Sequence, residues 1–358
     1  MNAFEFATAA RIIFGAGKLQ ELHAIAGEFG KRILFIQSRS ALPAAIVLPE
    51  CVPFPVTGEP TIKLVRAGVR LARQEHCDVV VSLGGGSVID AGKAIAALMT
   101  NGGDPLDYVE VVGNGQAITK PGVPFIAIPT TAGTGAEVTR NAVLFSPEHH
   151  VKVSIRSQHL LARVALVDPE LTYNLPPAIT ASTGLDALTQ LIEPFVSCRA
   201  NPLTNAICRE GLHRVARSLR RAYETGAPDA RANMALASLF GGLALANAGL
   251  GAVHGFAAPL GGMYDAPHGA LCAALLPAVF AMNARLVTNH ERFDEVLQIT
   301  GDLTELTRSL GVKPLRELGV RRAEFPVIIE KAATASSMKG NPVLLTPAQL
   351  GEILEQAW

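Results

Sequence analysis

The sequence predicts a two-domain protein in which an α/β domain with a parallel sheet precedes an all-α domain. A chain of 358 residues exceeds what one compact core usually holds. Short β-rich runs alternate with helical stretches in the first half, whereas the second half carries long Ala- and Leu-rich segments and no comparable β-rich run. The proline-marked turn LVDPELTYNLPP separates the two patterns. We therefore expect an α/β domain at residues 1–172 and a helical domain at 173–358.

The strands of the first half are predicted from four apolar runs that are short and bounded by Gly, Pro or Asp, as buried parallel strands are. These runs are RILFI, DVVVSL, VPFIAIP and ARVALVD. Between the first two lies IKLVRAGVRLARQEH, whose apolar positions recur at helical spacing. In the second half, NMALASLFGGLALANAGL is typical of a helix buried on most faces.

The composition excludes several classes of partner. Lys plus Arg equals Asp plus Glu at 31 each, so no net charge attracts the chain to nucleic acid or to a membrane surface. We expect no signal peptide, because the N-terminus has Glu5 and no uninterrupted apolar run. We expect no membrane span, because the longest apolar run, around 271–282, is too short. The five cysteines indicate a reducing cytoplasm, and we expect each to be a small buried hydrophobic residue rather than a ligand.

A glycine turn after the strand DVVVSL predicts an anion site. In GGGSVIDAGKAIA, the glycines let the backbone turn sharply and approach a ligand, and Ser87 opens the helix that follows. A helix N-terminus behind such a turn favours phosphate through its free N–H groups and its dipole. The alternative is a tight strand-to-helix turn without a ligand.

A second polar loop follows the strand VPFIAIP. In IPTTAGTGAEVTRNAV, Thr130, Thr131 and Thr134 alternate with glycines and could reach the same ligand. Two strand-end loops in one parallel sheet face the same crevice, where dinucleotides commonly bind. Two ordinary polar loops remain the alternative.

Taken together, these segments resemble the iron-containing, or group III, alcohol dehydrogenase family, and more distantly the maleylacetate reductases. The resemblance extends from IIFGAGKLQEL through GGGSVIDAGKAIA, IPTTAGTGAEVT, VDPELT, TGLDALTQLIE and VHGFAAPLGGMYDAPHG to NPVLLTPAQLGEILEQAW. It implies a Rossmann-like N-terminal domain and a helical C-terminal domain, the architecture that dehydroquinate synthases share. It also implies NAD or NADP as cofactor, a divalent metal such as iron(II) or zinc, a small-molecule substrate and a homodimer.

The resemblance also assigns residues to roles. Pyrophosphate would lie at Gly85, Gly86 and Ser87, with Asp90 close by, and Lys152 would lie in the ribose region. The nicotinamide side would hold Thr130, Thr131 and Thr134, and Asn141 would line the substrate pocket. The metal ligands would be Asp186, Gln190, His254 and His268.

The predicted metal site departs from the family at Gln190, where relatives normally have histidine. Asp186 and Gln190 are four residues apart, so a helix places both on one face. A carboxylate, two imidazoles and an amide oxygen could together bind a borderline divalent ion, but the neutral amide is the poorer donor. The alternative is a polar network without metal. Ala258 also replaces a histidine thought to relay the proton in the family. Proton delivery would then use water, His254 as the candidate catalytic residue, the ribose hydroxyls or an unidentified group.

The nucleotide and substrate are less closely defined. Ser38 stands at the strand end where an acid would grip the ribose of NAD, and Arg39 follows, so NADP is physically allowed. The residues expected to face substrate are mostly apolar, which favours a small alcohol, aldehyde or ketone. They are Asn141, Phe145, Phe256, Met263 and Tyr264.

Two alternatives stay open. One is a metal-independent, maleylacetate reductase-like reductase of a keto dicarboxylate, for which Arg140 and Lys152 could supply cations. The other is a nucleotide-binding protein without catalysis, suggested by Gln190 and Ala258.

Overall fold

A computed structural model describes residues 3–38, 48 and 50–358 of the chain. Arg39, considered above for NADP, lies outside these residues. The described part divides into two compact units. One comprises the described residues of Ala7–Thr131 and Gly135–Thr172, and the other comprises residues 3–6, Ala132–Thr134 and Tyr173–Trp358.

The first unit is built on a parallel sheet whose strand order is β1-β8-β5-β4-β2-β3 in the described residues. A two-stranded antiparallel sheet, β6-β7, accompanies it. The strands are β1 Arg11–Phe14, β2 Ile33–Ser38, β3 Cys51–Val56, β4 Val79–Gly84, β5 Phe125–Pro129, β6 Asn141–Ser146, β7 Val151–Arg156 and β8 Val164–Val167. All four predicted runs form strands, namely β2, β4, β5 and β8, and the predicted parallel sheet is confirmed.

The strands that the sequence did not reveal are the two edges of the main sheet and the antiparallel pair. β3 has the sequence CVPFPV, and a proline cannot donate a hydrogen bond to a neighbouring strand. At the sheet edge this costs no hydrogen bond on the open side, because among the described strands β3 pairs with β2 alone. β1 is the opposite edge and pairs with β8.

Helices pack around the main sheet within the first unit. They are α1 Leu22–Gly27, α2 Ile62–Gln74, α3 Gly86–Asn101 and α4 Pro105–Tyr108. α2 confirms the helix predicted from IKLVRAGVRLARQEH. α3 is buried along most of its length and lies very close to the sheet at Gly92, where a Cβ would approach Ser82 Oγ at 2.1 Å.

The second unit is helical in its described residues, which confirms the predicted all-α half. Its helices are α5 Pro177–Val196, α6 Pro202–Thr225, α7 Pro228–Ala248, α8 Ala252–Met263, α9 His268–Leu286, α10 Glu291–Thr300, α11 Leu303–Ser309, α12 Phe325–Thr334 and α13 Pro347–Ala357. Short 3-10 turns connect several of them, including Leu315–Leu318 and Ser336–Gly340.

Among the described residues, one helix, α9, is long and apolar enough to cross a membrane. It has 19 residues, so the run around 271–282 belongs to a longer helix than the sequence suggested. Of its most apolar window, 56% is buried inside the protein. Helices α7 and α8 pass the same test only when taken together, and they are bent by 100° at their junction.

Candidate active site

In the glycine turn between β4 and α3, packing requires glycine at Gly84, where a Cβ would lie 2.5 Å from Val88 Cγ2, but not at Gly85. Gly85 is the N-cap of α3 with φ −73° and ψ −174°, a conformation that any residue adopts. A Cβ there would meet only Thr131, at 3.6 Å, which is ordinary van der Waals contact. Glycine at this position is therefore explained by neither backbone strain nor crowding. Close approach of a ligand to the backbone would explain it.

The two predicted strand-end loops lie side by side. β4 and β5 are neighbouring parallel strands, and the backbone N–H of Thr130 donates to the carbonyl of Gly84 at 3.0 Å. Thr131 adjoins Gly85, while Ala132–Thr134 belongs to the helical unit. In that unit a Cβ on Gly133 would lie 2.8 Å from Thr183 Cβ. Gly86 and Ser87 begin α3 and are half-buried.

A buried lysine, which the sequence analysis did not single out, holds the segment after the threonine loop. Lys93 Nζ donates to Thr139 Oγ1 at 2.7 Å and to the backbone carbonyl of Asn141 at 2.9 Å. It also lies 3.6 Å from Asp90 Oδ1, and Asp90 Oδ2 accepts from the Val143 N–H at 3.0 Å. Both carboxylate oxygens of Asp90 thus face groups of the protein. Asp90 and Lys93 together anchor β6, the strand that begins at Asn141.

Burial is the largest influence on the pKa values of Asp90, Lys93 and Glu137. It raises the pKa of Asp90 and lowers that of Lys93, although each charge opposes the shift of the other. Glu137 is also buried, and its pKa is raised to about 7 by burial, with Lys93 opposing the rise. Oε2 of Glu137 finds no hydrogen-bond partner in the described part of the chain.

The remaining predicted residues of the first unit lie at different places in it. Ser38 is the last residue of β2 and pairs in register with Val56 of β3. Lys152, on β7, forms an ion pair with Glu59 at 2.7 Å. Phe145 is half-buried and lies opposite Lys152 in the antiparallel pair, whereas Arg140 is exposed.

In the helical unit, α5, α8 and α9 bring together the carboxylate and the imidazoles that the sequence assigned to metal. Asp186 Oδ1 lies 3.3 Å from His254 Nε2 and 3.9 Å from His268 Nε2. The two imidazole rings have centroids 5.4 Å apart. The side chains of Asp186 and His254 are buried, and that of His268 is 32% exposed. His268 is therefore the member through which the cluster is open.

Glycines allow these helices to approach so closely. A Cβ on Gly269, next to His268, would lie 2.4 Å from the backbone carbonyl of Ser182 on α5. Only glycine lets the start of α9 lie against α5 at this point. A Cβ on Gly251, the N-cap of α8, would lie 2.9 Å from Glu193 Oε1. The small residues around the two histidines therefore serve packing, and the packing aligns the imidazoles.

Glu193 is a site residue that the sequence analysis missed. Its Oε2 lies 2.6 Å from His254 Nδ1, and its Oε1 accepts from the Val253 N–H at 2.7 Å. A buried carboxylate on Nδ1 selects the tautomer whose Nε2 carries the free lone pair. Nε2 is the nitrogen that faces Asp186. The helical spacing of Asp186, Gln190 and Glu193 on α5 was the available signal, because these positions share one face.

Cys272 is a further site residue that the sequence analysis missed. Its Sγ lies 3.9 Å from His254 Nε2 and 3.7 Å from His268 Nε2. Ligand atoms of Asp186, His254, His268 and Cys272 all lie within 4.8 Å of one another. The spacing of four residues from His268 on one helix could have indicated it. The expectation that every cysteine is buried was also wrong, since Cys51 and Cys198 are exposed.

The acidic groups and the imidazoles of the cluster shift one another's pKa values. Burial lowers the pKa of His254, but Cys272, Glu193 and Asp186 raise it by more, leaving it well above 6.5. The pKa of His268 is likewise raised, chiefly by Cys272, against the effect of burial. For Asp186 and Cys272, burial raises the pKa and the two imidazoles lower it by more.

Two buried oxygens at the cluster lack hydrogen-bond donors. Among the described residues, Asp186 Oδ1 and Gln190 Oε1 have no hydrogen-bond partner. A buried acceptor without a donor is costly, so such atoms need an explanation. A divalent cation among the imidazole nitrogens and these oxygens would provide one. The donor set therefore fits a metal ion.

The predicted substrate-facing residues of the helical unit differ in burial. Phe256 on α8 is fully buried at 0% exposure, so its side chain contributes to the core packing of this unit. Met263 and Tyr264 are half-buried, and the Tyr264 hydroxyl donates to Glu324. Ala258 also lies on α8 and is half-buried.

Comparisons with known proteins cover nearly the whole chain. The profile of the iron-containing alcohol dehydrogenases matches residues 9–169, and that of the C-terminal domain of the Fe-containing alcohol dehydrogenase family matches 180–358. The 1,3-propanediol dehydrogenase of Klebsiella pneumoniae is 39% identical over 313 residues, which are 82% of this chain and 79% of that protein.

Solved structures agree with these matches. A crystal structure of a 1,3-propanediol oxidoreductase superposes with a TM-score of 0.91 at 33% identity and covers 100% of both chains. The sulfoacetaldehyde reductase of Bifidobacterium kashiwanohense, solved with NAD+, gives a TM-score of 0.88 at 28% identity, covering 99% of this chain and 98% of the other.

Proposed function

Because this chain belongs to the iron-containing alcohol dehydrogenase family, we propose that it interconverts small, uncharged, hydroxylated aldehydes and their alcohols with a nicotinamide dinucleotide. Membership makes it an alcohol and aldehyde oxidoreductase that uses NAD and a divalent metal. The substrate class, the residue roles and the acceptance of NADP are the parts we propose. Neither a keto dicarboxylate reductase nor a non-catalytic nucleotide-binding protein is favoured by these relatives.

The single observation that carries the proposal is the cluster of Asp186, His254 and His268 with two unpaired buried oxygens beside it. We assign these three side chains to the metal, with Gln190 adjacent to them. When bound, a divalent ion supplies Lewis acidity to the oxygen of the substrate. Both ring nitrogens of His254 are engaged, one by Glu193 and one toward Asp186, so we assign His254 to holding the ion rather than to carrying the proton.

We assign the dinucleotide to the glycine turn and the loop beside it. Gly85, Gly86 and Ser87 would hold the pyrophosphate at the start of α3, where backbone N–H groups and the helix dipole favour anions. Thr130, Thr131 and Thr134 would lie at the nicotinamide. Asp90 and Lys93 contribute indirectly, because they hold the strand that begins at Asn141. The domains would then divide the work, 1–172 binding dinucleotide and 173–358 binding metal and substrate.

An uncharged substrate is favoured by the state of the nearby cations. The sequence offered Arg140 and Lys152 as partners for a dicarboxylate, but Lys152 already pairs with Glu59 at 2.7 Å. A carboxylate substrate would have to compete with Glu59 for it. The relative named for 1,3-propanediol is named for a small, uncharged molecule that bears hydroxyl groups.

The test is a turnover panel followed by absorbance of reduced nicotinamide. Small hydroxyaldehydes and diols should give kcat/KM at least about tenfold above that for keto dicarboxylates, since a missing cation partner costs about 1–3 kcal/mol. Preferred turnover of the dicarboxylates would overturn the substrate class. Nucleotide binding without turnover of any compound would overturn the enzymatic proposal as a whole.

We further propose that the chain forms a homodimer and resides in the cytoplasm. β1 supports the first part, because it is an edge strand in the described sheet and its Ile12 is 37% exposed. Light scattering after gel filtration should give twice the chain mass of 37.6 kDa. A mass of one chain would overturn the dimer. The second part rests on five cysteines that form no disulfide in the structure.

A further inference from the structure

We propose that Cys272 is a ligand of the metal and fills the fourth position in preference to Gln190. The inference rests on the proposed metal site and adds a thiolate to it. The donor set would be one carboxylate, two imidazoles and one thiolate, from Asp186, His254, His268 and Cys272.

The distances in the cluster are close to those between ligands of one tetrahedral ion. Two nitrogen or oxygen atoms bound at about 2.0–2.1 Å lie about 3.3 Å apart, and a nitrogen and a sulfur bound at about 2.3 Å lie about 3.6 Å apart. The observed O···N distances are 3.3 and 3.9 Å, and the S···N distances are 3.9 and 3.7 Å. All four ligand atoms lie within 4.8 Å of one another, so rotations of their side chains would bring them onto one ion.

The helices present these atoms without rearrangement of the backbone. His268 and Cys272 are four residues apart on α9, so both face the same side of that helix. His254 directs Nε2 inward because Glu193 holds its other nitrogen at 2.6 Å. Asp186 Oδ1 is buried on α5 and lacks a hydrogen-bond partner in the described residues. This unpartnered oxygen is the independent sign that an ion belongs among these atoms.

Gln190 is the weaker candidate for the fourth position. Its amide is neutral, and a borderline ion prefers imidazole or thiolate to an amide oxygen. A thiolate in the set raises the preference for zinc relative to iron(II). On binding, the sulfur–metal bond forms as the S–H bond breaks, and the proton leaves to solvent; no electron is transferred.

Cobalt(II) is the probe that tests this inference directly. Metal-free protein titrated with Co²⁺ should show a near-ultraviolet thiolate-to-cobalt charge-transfer band and visible bands of tetrahedral cobalt. Cys272→Ser should lose the near-ultraviolet band and bind Zn²⁺ at least about tenfold more weakly, the usual scale for loss of a metal-supporting group. Cys208→Ser, which removes a buried thiol on α6 outside the cluster, should retain both properties.

Two further variants keep the test decisive. Gln190→Ala should change Zn²⁺ affinity less than Cys272→Ser does. The double variant Gln190→His with Cys272→Ser should regain affinity without the charge-transfer band, which would show that the cluster still folds. In a mixture of equal Zn²⁺ and Fe²⁺, the wild-type protein should take up a higher ratio of zinc to iron than Cys272→Ser.

The outcomes separate the inference from the proposal beneath it. Stoichiometric Co²⁺ binding without a thiolate band, or a band that survives Cys272→Ser, would overturn the role of Cys272 alone. Absence of any bound Co²⁺ or Zn²⁺ would overturn the metal site itself, and with it the role of the cysteine.

Discussion

Nδ1 of His254 lies 2.6 Å from Oε2 of Glu193, and the other oxygen of the same carboxylate accepts from the Val253 N–H at 2.7 Å. One side chain thus both caps α8 and selects the tautomer of the histidine that this helix carries. In the neutral imidazole, a proton on Nδ1 leaves the lone pair on Nε2, which faces the cluster.

Glu193→Gln should weaken metal binding by about 10- to 100-fold. The amide has one acceptor in place of two, so its NH2 group faces either the Val253 N–H or Nδ1 of His254. The second arrangement favours the tautomer with hydrogen on Nε2, which removes the lone pair. Competition with a chromophoric chelator measures the affinity. Glu210→Gln, on the exposed face of α6, is the control, and an equal loss in both variants would contradict the orienting role.

Gly85→Ala should separate ligand binding from folding. Because its Cβ meets only Thr131 at 3.6 Å, we expect the free energy of unfolding to change by no more than about 1 kcal/mol. A methyl group at the phosphate position should nevertheless raise the Kd of NADH about tenfold or more, the scale expected when one good contact of about 1.4 kcal/mol is lost. Fluorescence titration measures the Kd, and urea unfolding measures the stability.

Gly92→Ala is the contrasting variant on the same helix. Its Cβ would lie 2.1 Å from Ser82 Oγ, which now donates to the Val88 carbonyl. We expect destabilisation of about 1–3 kcal/mol from this overpacking. If Gly85→Ala were the more destabilising variant, or bound NADH normally, the glycine turn would be a structural feature without a ligand.

Ser38→Asp should shift the enzyme away from NADPH. A carboxylate at the end of β2 would repel a 2′-phosphate and accept a hydrogen bond from a ribose 2′-hydroxyl. We expect the ratio of kcat/KM for NADH to that for NADPH to rise at least about tenfold, corresponding to roughly 1.4 kcal/mol of discrimination. Ser38→Asn introduces a side chain of the same size as aspartate but without its charge, so it should leave the ratio of kcat/KM for NADH to that for NADPH nearly unchanged. Equal ratios in all three proteins would place the adenine ribose elsewhere.

Glu137→Gln should change how stability depends on pH. The pKa of Glu137 is raised from 4.5 to about 7 in the folded protein, so between these values the folded state binds more protons than the unfolded state. Stability from this group is therefore complete below pH 4.5 and is lost as pH rises toward 7, by roughly 3 kcal/mol in all. Glutamine does not ionise, so the free energy of unfolding of Glu137→Gln should not fall in this way as pH rises.

Urea unfolding at pH 5 and pH 8 would measure the effect. The free energy of unfolding of Glu137→Gln, relative to the wild-type protein, should be higher at pH 8 than at pH 5. A constant difference across the range would mean that Glu137 titrates normally. Glu210→Gln, on the exposed face of α6, serves as a control for nonspecific effects of pH.

The central strands and the helical half were predictable because each depends on local pattern. β2, β4, β5 and β8 are buried on both faces and appear in the sequence as short apolar runs. β3 was not predicted, because its two prolines contradict a strand unless the edge position is known. β1 was missed because it is only partly buried, which weakens the apolar signal.

The site residues that could be predicted from the sequence are likewise those that depend on local pattern. The shared face of Asp186 and Gln190 follows from helical spacing alone, and the structure has both on α5. Lys93, Glu193 and Cys272 were missed because their roles depend on contacts with residues distant in sequence, and such contacts leave no local pattern. The assignments of Ser38, Lys152 and the threonines to the dinucleotide stay predictions.

Asp186, His254 and His268 lie on α5, α8 and α9, which are separated in the chain by α6 and α7 and by the turn before α9. An ion bound by all three side chains would therefore cross-link these helices. Its binding free energy would then be added to the folding free energy of the helical half, by roughly 2.7 kcal/mol at a hundredfold excess over its Kd. In cells that lack the ion, the protein would unfold at a lower temperature and be cleaved faster by proteases. Supply of the metal would thereby control how long each molecule survives as well as how fast it works.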